Sequence, residues 1–319
     1  MASIERLSLL SVCDEAAALL RAAWTPPCVH YSAEYLAWQL SFPGPEPLAF
    51  GAVEVDGSLS GFAAATPRRL RLEETTDYAY LVSFMAVHPE RRGEGLAARL
   101  YPALLAEIAQ TGRPVISFAA EGTAGERALR QAYPAAGWEL SALGPCTVHG
   151  GLPRPSSSDL VIDPSPTLES VAELVEACVA PGVLWNAPDA AAVAHYAVGP
   201  ARQVVPLATG DGAPVAVGIV AAAEFVTSDG ISCAPVVEAF FCPKPQRVAE
   251  ALSALVKQAA MQAPGGGPVL FHNLQGADSA QIRAAGLRRV ASPFQAFLAA
   301  PTSNNHPFSK AAATSLEIV

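Results

Sequence analysis

The chain has 319 residues, of which 51% are hydrophobic and 15% charged. That composition belongs to a folded chain rather than a disordered one, and the length allows one large domain or two ordinary ones. A formal net charge of −9 argues against nucleic acid as a partner, because phosphate backbones demand a basic surface. No run reaches the roughly 18–20 apolar residues that a membrane-crossing helix needs.

The opening stretch, MASIERLSLLSVCDEAAALL, is amphipathic and carries acidic residues where a secretory leader has an unbroken apolar run. It is expected to form the first helix of a cytoplasmic protein. Cys13, Cys28, Cys146, Cys178, Cys233 and Cys242 are scattered without a CxxC pair, and the histidines are equally dispersed. Free thiols and no metal are therefore expected.

In chain order, the pattern predicts a helix near Asp14–Ala23, then strands at Leu48–Val55 and Leu59–Thr66 about an Asp56-Gly57 turn. A strand at Tyr78–Val87 follows, then a Gly/Arg-rich turn, a helix at Leu96–Ala109, a strand at Val115–Ala119 and a helix at Gly125–Ala132. The polar, proline-broken segment Pro153–Asp159 is the clearest linker. Beyond it the order returns. A helix at Leu168–Cys178 precedes strands at Gln203–Ala208 and Pro214–Ala223, joined by Gly210-Asp211-Gly212. Then come a strand at Pro235–Phe241, a helix at Gln246–Met261, a strand at Pro268–Asn273, a helix at Ser279–Ala285 and a strand at Phe294–Ala299. The expectation is α/β (α+β) architecture in two tandem units, residues 1–152 and 160–319, each a mixed, mostly antiparallel twisted sheet flanked by helices.

The segment from Ser83 to Ile108, SFMAVHPERRGEGLAARLYPALLAEI, carries the chemistry. A strand ends at Val87, His88-Pro89-Glu90 turns the chain, and Arg91-Arg92-Gly93-Glu94-Gly95 leads into a helix. Glycines let backbone N–H groups approach an anion, and the helix presents its positive end there. Arg92, Gly95 and Ala97 spell R-x-x-G-x-A, with a small residue where a bulky one would keep a pyrophosphate from the backbone. An ordinary strand-to-helix turn with two solvated arginines is the plain alternative.

These residues resemble the GNAT superfamily, which binds the pyrophosphate–pantetheine arm of an acyl donor at this loop. RALRQAYPAAGW, Arg127 to Trp138, is similar to the family's Y-x-x-x-G-F stretch. The resemblance implies that Tyr133 protonates the departing thiolate; a packed core aromatic is the other reading. A narrower likeness, to eukaryotic N-myristoyltransferases, rests on three blocks in order: HYSAEYLAWQLSFPG (His30–Gly44), LSGFAAATP (Leu59–Pro67) and VSFMAVHPERRGEGLA (Val82–Ala97). FHNLQGADSAQIRAAGL (Phe271–Leu287) continues it.

By position, the resemblance implies that backbone N–H groups of Phe84 and Met85 form an oxyanion hole. Val87, Arg92, Gly93, Gly95, Leu96 and Ala97 would hold the donor, acyl-CoA or acyl-phosphopantetheine. In those relatives the C-terminal carboxylate deprotonates the amine. Here the chain ends SLEIV, which makes the carboxylate of Val319 the candidate base, with Glu317 a competitor and a frayed tail the plain alternative. Glu94 departs from the neutral or basic residue preferred in the loop. Arg68, Arg69 and Arg71 are read as a docking strip for an acyl carrier protein or, more simply, as a solvated strand edge. Trp185-Asn186 and His195-Tyr196 are read as packing or as an acceptor groove. No G-x-S-x-G nucleophile motif is present, so direct transfer to an amine or peptide acceptor is expected. The rivals are acetyl transfer to a small amine and non-catalytic thioester binding.

Overall fold

A computed structural model describes residues 2–26, 28–154, 158–163, 166–178, 183–262, 267–273, 277–290, 294–302, 308 and 312–315. The first half runs β1 (Ser3–Arg6), α1 (Leu9–Ala23), β2 (Cys28–Val29), α2 (Ala33–Leu40), β3 (Leu48–Val53), β4 (Leu59–Leu72) and β5 (Thr75–Val87). It continues through α3 (Leu96–Gln110), β6 (Val115–Ala120), α4 (Ala124–Ala135) and β7 (Trp138–Gly151). The second half runs β8 (Val161–Ile162), α5 (Leu168–Glu176), β9 (Val183–Asn186), α6 (Ala190–Ala197), β10 (Arg202–Ala208), β11 (Pro214–Thr227) and β12 (Gly230–Phe241). It ends with α7 (Val248–Gln262), β13 (Val269–Asn273), α8 (Ser279–Ala284), β14 (Arg288–Arg289), β15 (Phe294–Pro301) and β16 (Ala312–Ser315).

The expected mixed, mostly antiparallel architecture is present, with the same strand–helix order in both halves. One correction falls at the N-terminus, where Ser3–Arg6 pairs antiparallel with β3 as an edge strand instead of opening the first helix. The long sheet runs β1-β3-β4-β5-β6-β15-β7-β13-β12-β11-β10-β8. Several strands cross between the halves, β2 pairing β11 and β9 pairing β4 as well as the two that follow. β7 pairs β15 over Trp138–Cys146 and β13 over Thr147–Gly151, so one strand serves both sheets. β15, from the end of the chain, lies between β6 and β7 in the sheet of the first half. The linker at Pro153–Asp159 thus joins units that share strands.

Apolar faces of the helices hold the layers together. α3 buries Leu96, Leu100, Leu104, Leu105 and Ile108 against β3, β4 and β5, the i, i+4 spacing of a one-sided helix. α1 and α2 cover the opposite face with Leu20, Leu36 and Leu40 around Phe62 and Phe84. α7 does the same in the second half through Leu252, Leu255 and Val256.

Between the halves, Trp38 of α2 stacks on His195 of α6 at 5.3 Å between ring centroids and 7° between planes. Its indole N–H donates to the His195 carbonyl at 3.0 Å, and His195 Nε2 returns a bond to the Trp38 carbonyl at 2.9 Å. Burial and nearby Arg68 and Arg202 hold this imidazole below its usual pKa, which keeps it neutral in that role. Arg202 grips Glu238 with two bonds of 2.6 and 2.8 Å beneath the Trp38 ring. His195 and Tyr196 therefore pack the seam between units rather than lining an open groove.

Candidate active site

The site begins where β5 and β6 part. They run parallel through three rungs, Tyr80–Val115, Leu81–Ile116 and Val82–Ser117. Among the described residues no rung joins them beyond Val82, while β6 stays paired to β15 as far as Ala120. The inner edges of the fork therefore carry main-chain groups without a ladder partner across the gap.

One step into the fork, β5 bulges. Ala64 pairs with Ser83 and Phe62 with Ala86, so Phe84 and Met85 together face the single residue Ala63. Phe84 has φ +62°, a left-handed conformation that costs a bulky L residue about 1–2 kcal/mol. Its ring supplies the restraint: only 4% exposed, it meets Tyr31 edge-on at 5.9 Å within the α1–α2 core. The bulge leaves Phe84 and Met85 without partners of their own in the β4–β5 ladder.

After Val87 the chain turns through Pro89–Arg91, with the His88 ring capping the Glu90 N–H. Gly93 and Gly95 follow at φ +88° and +76°, and a Cβ on either would meet nothing within 4 Å. The corner is open and exposed. Gly95 caps α3 without a side chain, whereas Ser32, Thr123, Thr167, Asp189 and Asp278 each cap their helices by hydrogen bonds. The first N–H groups of α3 thus have no side-chain cap. Leu96 is buried beneath them and Ala97 is exposed. Arg92 lies on the surface and donates to the Ala23 carbonyl at the end of α1.

On the α3–α4 side, Tyr133 is fully buried. Its hydroxyl lies 2.6 Å from Ser117 Oγ and accepts from the Tyr101 hydroxyl at 2.9 Å. Ser117 is the last rung before the fork, so this hydroxyl cluster sits at the apex. Burial raises the Tyr133 pKa well above the ordinary tyrosine value, so the phenol is protonated at neutral pH. On the other face, Ser83 Oγ is buried with no hydrogen-bond partner, a group the sequence reading passed over.

The arginine strip is corrected by the structure. Arg68 is buried, bonded to Gln39 at 2.9 Å and under the Phe42 ring. Arg69 binds Glu176 at 3.1 Å and the Ala187 carbonyl, and Arg71 reaches Glu176 and Glu74. Arg68 ties β4 to α2, and Arg69 and Arg71 tie it to the second half, which leaves no open basic strip. Asn186 is buried in a strand that pairs with β4. Val319 and Glu317 lie outside the described residues.

The second half repeats the fork without the corner. β12 and β13 share only the rungs Val236–Leu270 and Val237–Phe271, and Glu238 bulges between Val237 and Ala239 opposite β11. The turn that follows has Pro243, Lys244 and Pro245 in place of glycine, and Arg247 is bound to Asp159 and Glu250. His272 Nδ1 is buried there without a partner, and burial lowers its pKa. Glu238 and Arg202 carried no motif in the sequence, and His272 stood in the Phe271–Leu287 block without a role of its own. Among the described residues no group of His, Cys, Asp and Glu could hold a metal ion, and no helix is long and apolar enough to cross a membrane.

Residues 10–137 match the Acetyltransferase (GNAT) family. No curated protein matches in sequence. Saccharomyces cerevisiae N-myristoyltransferase with bound myristoyl-CoA superposes at TM-score 0.70 with 12% identity, over 100% of this chain and 90% of that one. A second structure of that enzyme with myristoyl-CoA gives TM-score 0.72 at 12% identity, over 100% and 86%. An Enterococcus faecalis V583 protein of unknown function, described as a probable N-acyltransferase, gives TM-score 0.57 at 13% identity over 94% and 72%. Fork, bulge and glycine corner all lie within the segment that matches the GNAT family, and the whole chain shares the fold of the N-myristoyltransferase structures.

Proposed function

We propose that this protein is an N-acyltransferase that moves a medium or long acyl chain from a thioester directly to an amine, the N-terminus of a peptide. The observation that carries the reading is the open fork at Val82–Ser117 beside an uncapped, glycine-bearing helix start. In this mechanism the donor phosphates sit against Gly93, Gly95 and the first turn of α3, with Arg92 alongside and Val87, Leu96 and Ala97 shaping the approach. The thioester carbonyl enters the fork. N–H groups at Phe84 and Met85 receive its oxygen as the amine attacks, an effect typically worth about 3–4 kcal/mol per donor lost. The C–S bond then breaks and the thiolate takes a proton from the apex, where Tyr133 is the candidate acid. The amine proton goes to a base, for which the Val319 carboxylate is the candidate and Glu317 the competitor.

The long-chain form of the reading is supported by the full-length fold shared with a myristoyl-CoA-binding enzyme. The acetyl form, with a small amine as acceptor, is favoured by the family's own description as acetyltransferases. A thiol-release assay over acyl-CoAs and acyl carrier proteins of graded chain length, with peptide and small amines, separates the two. Arg92→Glu is expected to abolish turnover. Unchanged turnover after removal of the last four residues would refute the carboxylate base.

A further inference from the structure

Resting on the acyl-transfer reading, we propose that Glu94 filters the donor by charge. It holds Arg91 as an internal anion, so the corner favours a pantetheine thioester bearing a single phosphate over a nucleotide coenzyme. Arg91 Nη2 lies 3.0 Å from Glu94 Oε2 and 3.0 Å from Glu54 Oε1. Its Nε is buried with no partner, so the guanidinium is shared between two carboxylates through one nitrogen and not locked in a two-pronged pair. Glu54 is held at the base of the β3–β4 hairpin, with its side chain 19% exposed; Glu94, on the solvent side of Arg91, is 46% exposed.

The neighbouring cations are equally committed. Arg92 donates to the Ala23 carbonyl, and Arg99 donates to the Ala2 carbonyl at 2.9 Å. From His88 to Gly95 two arginines stand beside Glu90 and Glu94, and Glu54 adds a third carboxylate. The corner therefore has no net positive charge of its own. What it offers is the open start of α3, roughly half a unit charge, Arg92 beside it, and Arg91 once Glu94 has moved. One phosphate can engage these together. A coenzyme adds a second phosphate of the pyrophosphate and a ribose phosphate, which must settle beside the displaced Glu94. The favoured arm has two sources, a free phosphopantetheine thioester or the same arm on a carrier protein.

The test uses the full chain and thiol release from three donors of equal acyl length: S-acyl-4′-phosphopantetheine, acyl carrier protein and acyl-CoA. Wild type is expected to use the phosphopantetheine arm with a kcat/KM about tenfold above acyl-CoA. Glu94→Gln should lower KM for acyl-CoA about five- to tenfold with kcat unchanged, and move the single-phosphate donor less than about twofold. Glu90→Gln makes the same change in net charge without touching Arg91 and should shift acyl-CoA less than about twofold. A carrier donor better than the free arm identifies the carrier as the source; equality identifies the small molecule. Wild type preferring acyl-CoA with a ratio that Glu94→Gln leaves unmoved overturns the proposal, as does an equal effect of Glu90→Gln. If no donor binds by thermal shift or releases thiol in any form, the acyl-transfer reading itself fails.

Discussion

Replacing Phe84 by alanine and by glycine isolates the strain at the fork. Either change removes a ring that is 4% exposed and packed on Tyr31, so both should lose about 3–5 kcal/mol through cavity formation. The two variants differ only in what remains at φ +62°. Alanine keeps a Cβ in the left-handed region and its cost of about 1–2 kcal/mol, whereas glycine escapes it. In an ordinary strand glycine is the worse residue by about 0.5–1 kcal/mol. The structure inverts that order, and Phe84→Gly should be the more stable variant by about 1 kcal/mol. Urea unfolding followed by tryptophan fluorescence measures the difference as a shift in midpoint at constant slope. An alanine variant as stable as the glycine one, or more so, would refute the left-handed bulge.

Gly95→Ala meets no atom within 4 Å but sits at φ +76°, so it should cost about 1–2 kcal/mol from the backbone alone and weaken donor binding by calorimetry. Tyr133→Phe removes a hydroxyl shared by Ser117 and Tyr101, which lie 3.4 Å apart and can pair with each other. The loss should be about 1 kcal/mol in stability, with a drop of about tenfold or more in kcat at unchanged donor KM if the phenol is the acid. His195 has a lowered pKa in the folded chain, so its contribution is fully present above the unfolded value of about 6.5 and is lost as pH falls through the folded value. His195→Gln should flatten the slope of unfolding free energy against pH just below 6.5, measured as urea midpoints over that window.

How much of this was legible in the chain depends on how local each feature is. The Val87-His88-Pro89 turn, the glycines at 93 and 95 and the periodic helix after them are set by residues near one another, and all stand where the pattern put them. The bulge is different, because its left-handed residue is a phenylalanine and only the packing of its ring against Tyr31 makes the conformation tolerable. Arg68, Arg69 and Arg71 show the limit for charge. Alternation in a strand cannot reveal that Glu176 waits more than a hundred residues away. β2, β8 and β14 are two residues long, too short for periodicity to register, and they exist through the strands beside them.

The position of β15 also bears on how the protein comes into being. Its partners β6 and β7 are synthesised long before it, and until Phe294–Pro301 leaves the ribosome both present naked edges to one another. Such edges invite pairing with foreign strands. A nascent N-terminal half is therefore an unfinished object with two open strand edges, and the two halves expressed apart should recover a native sheet only when mixed.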